Sequence, residues 1–118
     1  VVVKATDEEI LDAKAVVGSC GLGCEPASAA SVAGLRQLVE KRVIHPEQKV
    51  VCVITGHHLK APDITVNYHS LTGEKLKEAF QEYGVTKAAY PNRPVEVDND
   101  LTAILKLLGE DKHTAWDR

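Results

Sequence analysis

Val50-Val51-Cys52-Val53-Ile54 sets five apolar side chains in succession, four of them β-branched, and then stops at Thr55-Gly56 before His57-His58-Leu59-Lys60. An uninterrupted apolar run of this length predicts a strand buried on both faces, because a strand with one wet face would alternate. Strands of that kind belong to parallel sheets covered by helices. In open α/β sheets ligands collect beyond the carboxyl ends of the strands, so Thr55, Gly56 and His57 fall where chemistry is expected.

The rest of the chain reads as cover for that strand. Val1–Val3 predicts a short strand, and Thr6-Asp7-Glu8-Glu9 has the form of a capping box opening a helix to about Val17, with Ile10, Ala13 and Val17 on one face. The three acidic residues suit the positive end of the helix dipole, so they need no catalytic role. Gly18 to Gly23 is a glycine-punctuated loop, and Pro26 starts a second helix ending near Arg42. Ala27, Ala30, Ser31 and Gly34 form a stripe of small side chains that allows close approach to a sheet or a flat ligand, with Ser28, Ala29 and Ala33 slim beside it. Glu25 is a poor N-cap, so a partner explains its place better than capping. Ala61-Pro62 predicts an irregular segment to Ser70, followed by a helix over Thr72–Tyr83 with Gly84 just beyond it. Val95–Val97 predicts a third short strand. Asp98 caps a last helix carrying Leu101, Ile104, Leu105 and Leu108, and 110–118 is a polar tail containing Trp116.

These elements predict an α/β fold over 1–109: a partial three-layer Rossmann-like domain, with short parallel strands covered by about four helices. The net charge of −3 and the pI near 5.9 provide no basic surface for nucleic acid. No apolar run approaches the roughly 20 residues that span a bilayer, so the expectation is a soluble, cytoplasmic protein without membrane contact. Cys20, Cys24 and Cys52 are odd in number and lack zinc-ligand spacing, and the adjacent His57 and His58 are expected to point apart, so no metal site is predicted. The chain contains no methionine, which leads to the expectation that it is part of a longer or processed polypeptide.

Gly23-Cys24-Glu25-Pro26-Ala27-Ser28-Ala29-Ala30 and Thr55-Gly56-His57-His58-Leu59-Lys60 together resemble the C-terminal part of the threonine synthase family, within the fold-type II pyridoxal-phosphate enzymes. The resemblance covers roughly the first seventy residues, Lys4–Glu9 included, and is weaker over Leu71–Gly109. It implies a lyase of threonine biosynthesis that turns O-phosphohomoserine and water into threonine and phosphate, with pyridoxal phosphate as cofactor. It further implies that the Thr55 hydroxyl faces the pyridine nitrogen, that Gly56 gives the backbone room beside the ring, and that Glu25 borders the cofactor. Two positions depart from the family's pattern: His58 stands where glycine is common, and Ala61-Pro62 where Asp-Pro is. Neither the Schiff-base lysine nor the glycine-rich phosphate loop has a match here, and Lys60 reads as a solvated loop cation. No catalytic residue is therefore assigned, and the chain alone is expected to be inactive, to self-associate, and to need the remainder of its parent polypeptide. The alternatives are a threonine dehydratase or cysteine synthase relative, which would more often present serine at position 55, and a stand-alone, non-catalytic α/β binding module.

Overall fold

A computed structural model describes residues 1–109; the 110–118 tail and Trp116 lie outside the described residues. Among the described residues five α-helices appear in order: α1 (Asp7–Ser19), α2 (Pro26–Glu40), α3 (Pro62–Ser70), α4 (Gly73–Ala79) and α5 (Leu101–Leu107). Single 3₁₀ turns occur at His58–Lys60 and Gln81–Tyr83.

Helix α1 is the centre of the described chain. Its capping box is complete: the Glu9 amide donates to Thr6 Oγ1 at 3.2 Å and the Thr6 amide to Glu9 Oε2 at 2.7 Å. Five consecutive residues, Leu11 to Ala15, are buried, so neighbours surround this turn and a half on more than one side. Toward α2, Ala13 packs with Cys24, Ala29 and Ala33, flanked by Ile10 and Val17. Toward α3 and α4, Leu11 and Ala15 join Tyr68, Leu76, Phe80 and Val85. Asp12, buried between these groups, accepts from the Tyr68 hydroxyl and, at 3.0 Å, from the Ala89 amide.

Helix α2 begins with Pro26 at its first position and ends in a Schellman motif. The Val43 amide donates to Leu38 O and the Arg42 amide to Val39 O, both at 2.9 Å, while Arg42 takes the left-handed φ of 55°. Pro62 does not prevent a helix. It supplies the first residue of α3, where a missing N–H costs nothing, while Ala61 before it, at φ −139° and ψ 64°, stays out of the helical region that a following proline disfavours. The expected Thr72–Tyr83 helix is two pieces, α4 and the 3₁₀ turn, closed by Gly84 at φ 65°. Asp100 rather than Asp98 caps α5, accepting from the Ala103 amide at 2.9 Å.

The α/β prediction is corrected: the described residues contain helices and no strand. Val1–Val3, Val50–Ile54 and Val95–Val97 form no strand. A β-strand is defined by ladder hydrogen bonds to a neighbour, and none of these segments has one. Val3 and Val50–Val53 border the same apolar groove over α2, together with Leu35, Leu38 and Ile44, but do not pair across it. Nor is the central run buried on both faces: Val51 is 88% and Val53 67% exposed, because α2 covers one side and no described residue covers the other. The radius of gyration, 17.8 Å, exceeds the roughly 13 Å of a closed domain of this length. The accessible surface of 9343 Å² likewise exceeds the roughly 6300 Å² expected for a folded monomer of 12.8 kDa.

Candidate functional site

The site lies where the extended 50–55 segment meets the N-terminus of α2. Three backbone-level contacts fasten the two. The Glu25 amide donates to Gly56 O at 2.9 Å, and the Thr55 and Gly56 amides donate to Ser28 Oγ at 3.0 and 2.8 Å. A further contact of 3.0 Å joins Ser28 Oγ to Thr55 Oγ1. Slightly higher on α2, Ser31 Oγ reaches Val53 O at 3.5 Å, and Cys52 Sγ donates to Ser31 O at 3.8 Å. The small residues of α2 therefore work on two sides: Ala29 and Ala33, beside the stripe, let α1 approach, while Ala30, Ser31 and Gly34 of the stripe floor the groove beside Val50–Val53.

Glu25 sits at the N-cap position but makes no side-chain capping bond. Its carboxylate lies against Gly56 and pairs with Lys60 Nζ at 3.3 Å. A Cβ on Gly56 would collide with the Oε1, Cδ and Cγ atoms of Glu25, so the glycine is needed to seat this side chain. The room that Gly56 provides is thus filled by Glu25. Thr55 is exposed beyond the buried Gly56, and among the described residues its hydroxyl meets only Ser28.

His57 caps the 3₁₀ turn through its Nδ1, which accepts from the Leu59 amide at 3.2 Å. The His57 and His58 rings do not point apart as expected; their centroids are 4.2 Å from each other. His58 Nδ1 is buried against Gly23, where a Cβ would strike the ring, and has no hydrogen-bond partner among the described residues. Among the described residues no cluster of three or more His, Cys, Asp or Glu side chains is placed to hold a metal ion. All three cysteines are free thiols, and burial pushes the Cys24 thiol above its ordinary pKa, away from nucleophilic chemistry.

Glu25, Thr55 and Gly56, singled out in the sequence, come together in one place. Lys60, read as a solvated cation, is still 64% exposed but faces Glu25. Ser28 was legible only as a slim residue beside the stripe. Its signal was its position three residues after Glu25 in the first turn of a helix whose N-cap cannot cap, where a buried hydroxyl is free to serve another segment.

No family model matches the chain. Curated proteins do match it. Over 63 residues, 52% of this chain, it is 54% identical to a threonine synthase of Methanosarcina acetivorans. Over 62 residues it is 47% identical to a threonine synthase of Methanocaldococcus jannaschii and 52% identical to one of Synechocystis sp.. The matched stretch spans only 16%, 15% and 16% of those three proteins. The resemblance to threonine synthase read from the sequence is borne out over about half of the chain.

Proposed function

We propose that this chain is a portion of a threonine synthase, and that Thr55, Gly56 and Glu25 form one edge of its pyridoxal-phosphate site. The observation carrying the proposal is that Ser28 holds Thr55 and Gly56 while the Glu25 side chain lies on Gly56, within a chain about half of which is 47–54% identical to enzymes of that name. The parent enzyme would convert O-phosphohomoserine and water to threonine and phosphate. Residues 1–109 would complete its cofactor-binding domain, with the Schiff-base lysine and phosphate loop supplied by the rest of the polypeptide.

The residues present fit a pyridine ring at its nitrogen. Thr55 offers an exposed, uncharged hydroxyl, and the nearby carboxylate of Glu25 is turned onto Gly56 and toward Lys60. Pyridoxal phosphate, when bound, supplies the electron sink for the reaction. The chain's own residues have three tasks in it. Thr55 would meet the ring nitrogen with an uncharged hydroxyl, which would leave that nitrogen free to remain unprotonated. Glu25 packs beneath the turn and keeps Gly56 from shifting. Lys60 opposes the Glu25 charge, so that the carboxylate does not act on the nitrogen in place of Thr55.

Replacing Thr55 by Asp in the parent polypeptide tests this reading. A carboxylate at that position favours a protonated nitrogen, so the cofactor absorbance should shift and turnover fall at least about a hundredfold, the scale of a lost electrostatic contact in a site. An unchanged spectrum and rate would remove Thr55 from the cofactor. The apolar groove over α2 and the exposed Val51 and Val53 support self-association of the isolated chain. Sedimentation of a single monomeric species at micromolar concentration would exclude it.

A further inference from the structure

Ser28 is 3% exposed, and its hydroxyl has one proton and two lone pairs to place. Two backbone donors take the lone pairs: Thr55 N at 3.0 Å and Gly56 N at 2.8 Å. The remaining contact, 3.0 Å to Thr55 Oγ1, has two possible donors when considered alone. Valence leaves one assignment. Ser28 has no lone pair left to accept with, so its O–H donates and Thr55 Oγ1 accepts. The proton of Thr55 is then barred from Ser28 and has no other acceptor among the described residues, so it turns outward, where Thr55 is exposed.

We propose that Ser28 is a positioning residue that makes the Thr55 hydroxyl an obligate outward donor, so that the site accepts a ring nitrogen bearing a lone pair in preference to one bearing a proton. This rests on the reading of Thr55 as the nitrogen-facing group. A protonated ring nitrogen would have to take the one lone pair left on Thr55 Oγ1, and the Thr55 proton would then have no acceptor among the described residues. A lone-pair nitrogen takes that proton and satisfies every group. Any hydroxyl at position 55 allows both arrangements; the arrangement of Ser28 with its two amide donors selects one. The preference is thus built into the first turn of α2, on a residue that need not touch the cofactor.

The test uses the parent polypeptide loaded with pyridoxal phosphate labelled with ¹⁵N in the ring. It follows the ring-nitrogen chemical shift against pH, together with hydrogen exchange at the Thr55 and Gly56 amides. In the unaltered protein the nitrogen should show the unprotonated shift throughout the neutral range. Ser28→Ala should speed exchange at both amides about tenfold, the scale of one lost hydrogen bond, and move the nitrogen toward its protonated shift. Ser28→Thr, which keeps the hydroxyl, should restore both readouts. Thr55→Val should move the nitrogen shift while leaving Gly56 exchange within about twofold, since the Ser28 bond to that amide persists; it serves even if Ser28→Ala does not fold. Faster amide exchange with an unmoved nitrogen would reduce Ser28 to a structural clasp and overturn the proposal. So would a protonated nitrogen in the unaltered protein, or an unmoved nitrogen in Thr55→Val. Failure of the unaltered parent to bind the labelled cofactor would instead sink the functional reading beneath it.

Discussion

Gly56→Ala probes the join between α2 and the 50–56 segment at its tightest point. Gly56 is buried, and its φ lies outside the left-handed region, so alanine could adopt the backbone without strain. The obstacle is steric, since the new methyl would fall on the Glu25 side chain from Cγ to Oε1. Glu25 is flexible and would swing away, abandoning Lys60. Overpacking costs about 1–3 kcal/mol. The lost ion pair adds about 0–1 kcal/mol at most, because Lys60 is largely exposed. Against these, alanine restricts the unfolded chain and returns about 0.4–1 kcal/mol. The net expectation is a destabilisation of about 1–2 kcal/mol. In a Glu25→Ala background the methyl has room and only the last effect remains, so the same substitution should stabilise by about 0.4–1 kcal/mol. Urea unfolding of the four proteins of this cycle measures both values. The change of sign between backgrounds exceeds the about 0.5 kcal/mol expected of independent sites. An equal cost of Gly56→Ala with and without the Glu25 side chain would refute the contact.

Two further substitutions test the frame around the site. Arg42→Gly should stabilise the chain by about 1 kcal/mol in thermal or urea unfolding, because Arg42 holds a left-handed conformation at the position where Schellman motifs favour glycine; a loss of stability would mean that the arginine side chain outweighs its backbone strain. Tyr68→Phe should cost about 1–3 kcal/mol at neutral pH by leaving buried Asp12 one donor short. Burial, and then the bond to Asp12, push the Tyr68 phenol well above its ordinary value of 10.0. The folded state therefore holds this proton more tightly than the unfolded state. The resulting stability is fully present below the unfolded pKa and is lost as pH rises above about 10. The gap between the two proteins should narrow along that alkaline limb, and a constant gap would contradict the assignment.

Local signals in the sequence are legible where they are self-contained. Thr6 and Glu9 satisfy each other within one turn, and Gly84 takes its left-handed φ whatever lies around it. Pro62 shows the limit of such signals, since the same residue can end one helix or begin another, and only the chain on either side decides. The strands failed for a different reason. Val50–Ile54 carries the apolar pattern of a two-sided strand, but a strand is a relation between segments, and among the described residues no second segment pairs with it. At the site, Glu25 stands out in the sequence as a poor cap, and Thr55 and Gly56 as the end of an apolar run. Ser28 is, in the sequence, one small residue among many. Its importance comes from two amides lying 27 and 28 residues away in sequence, which spacing along the helix does not reveal.

The most direct test of the account is the reaction of the parent polypeptide, carrying this chain and loaded with pyridoxal phosphate, on O-phosphohomoserine. Phosphate and threonine should appear in equal amounts, and Thr55→Asp should suppress both together. Phosphate release without threonine, or no turnover by a parent that binds the cofactor, would contradict the assignment of these residues to a threonine synthase.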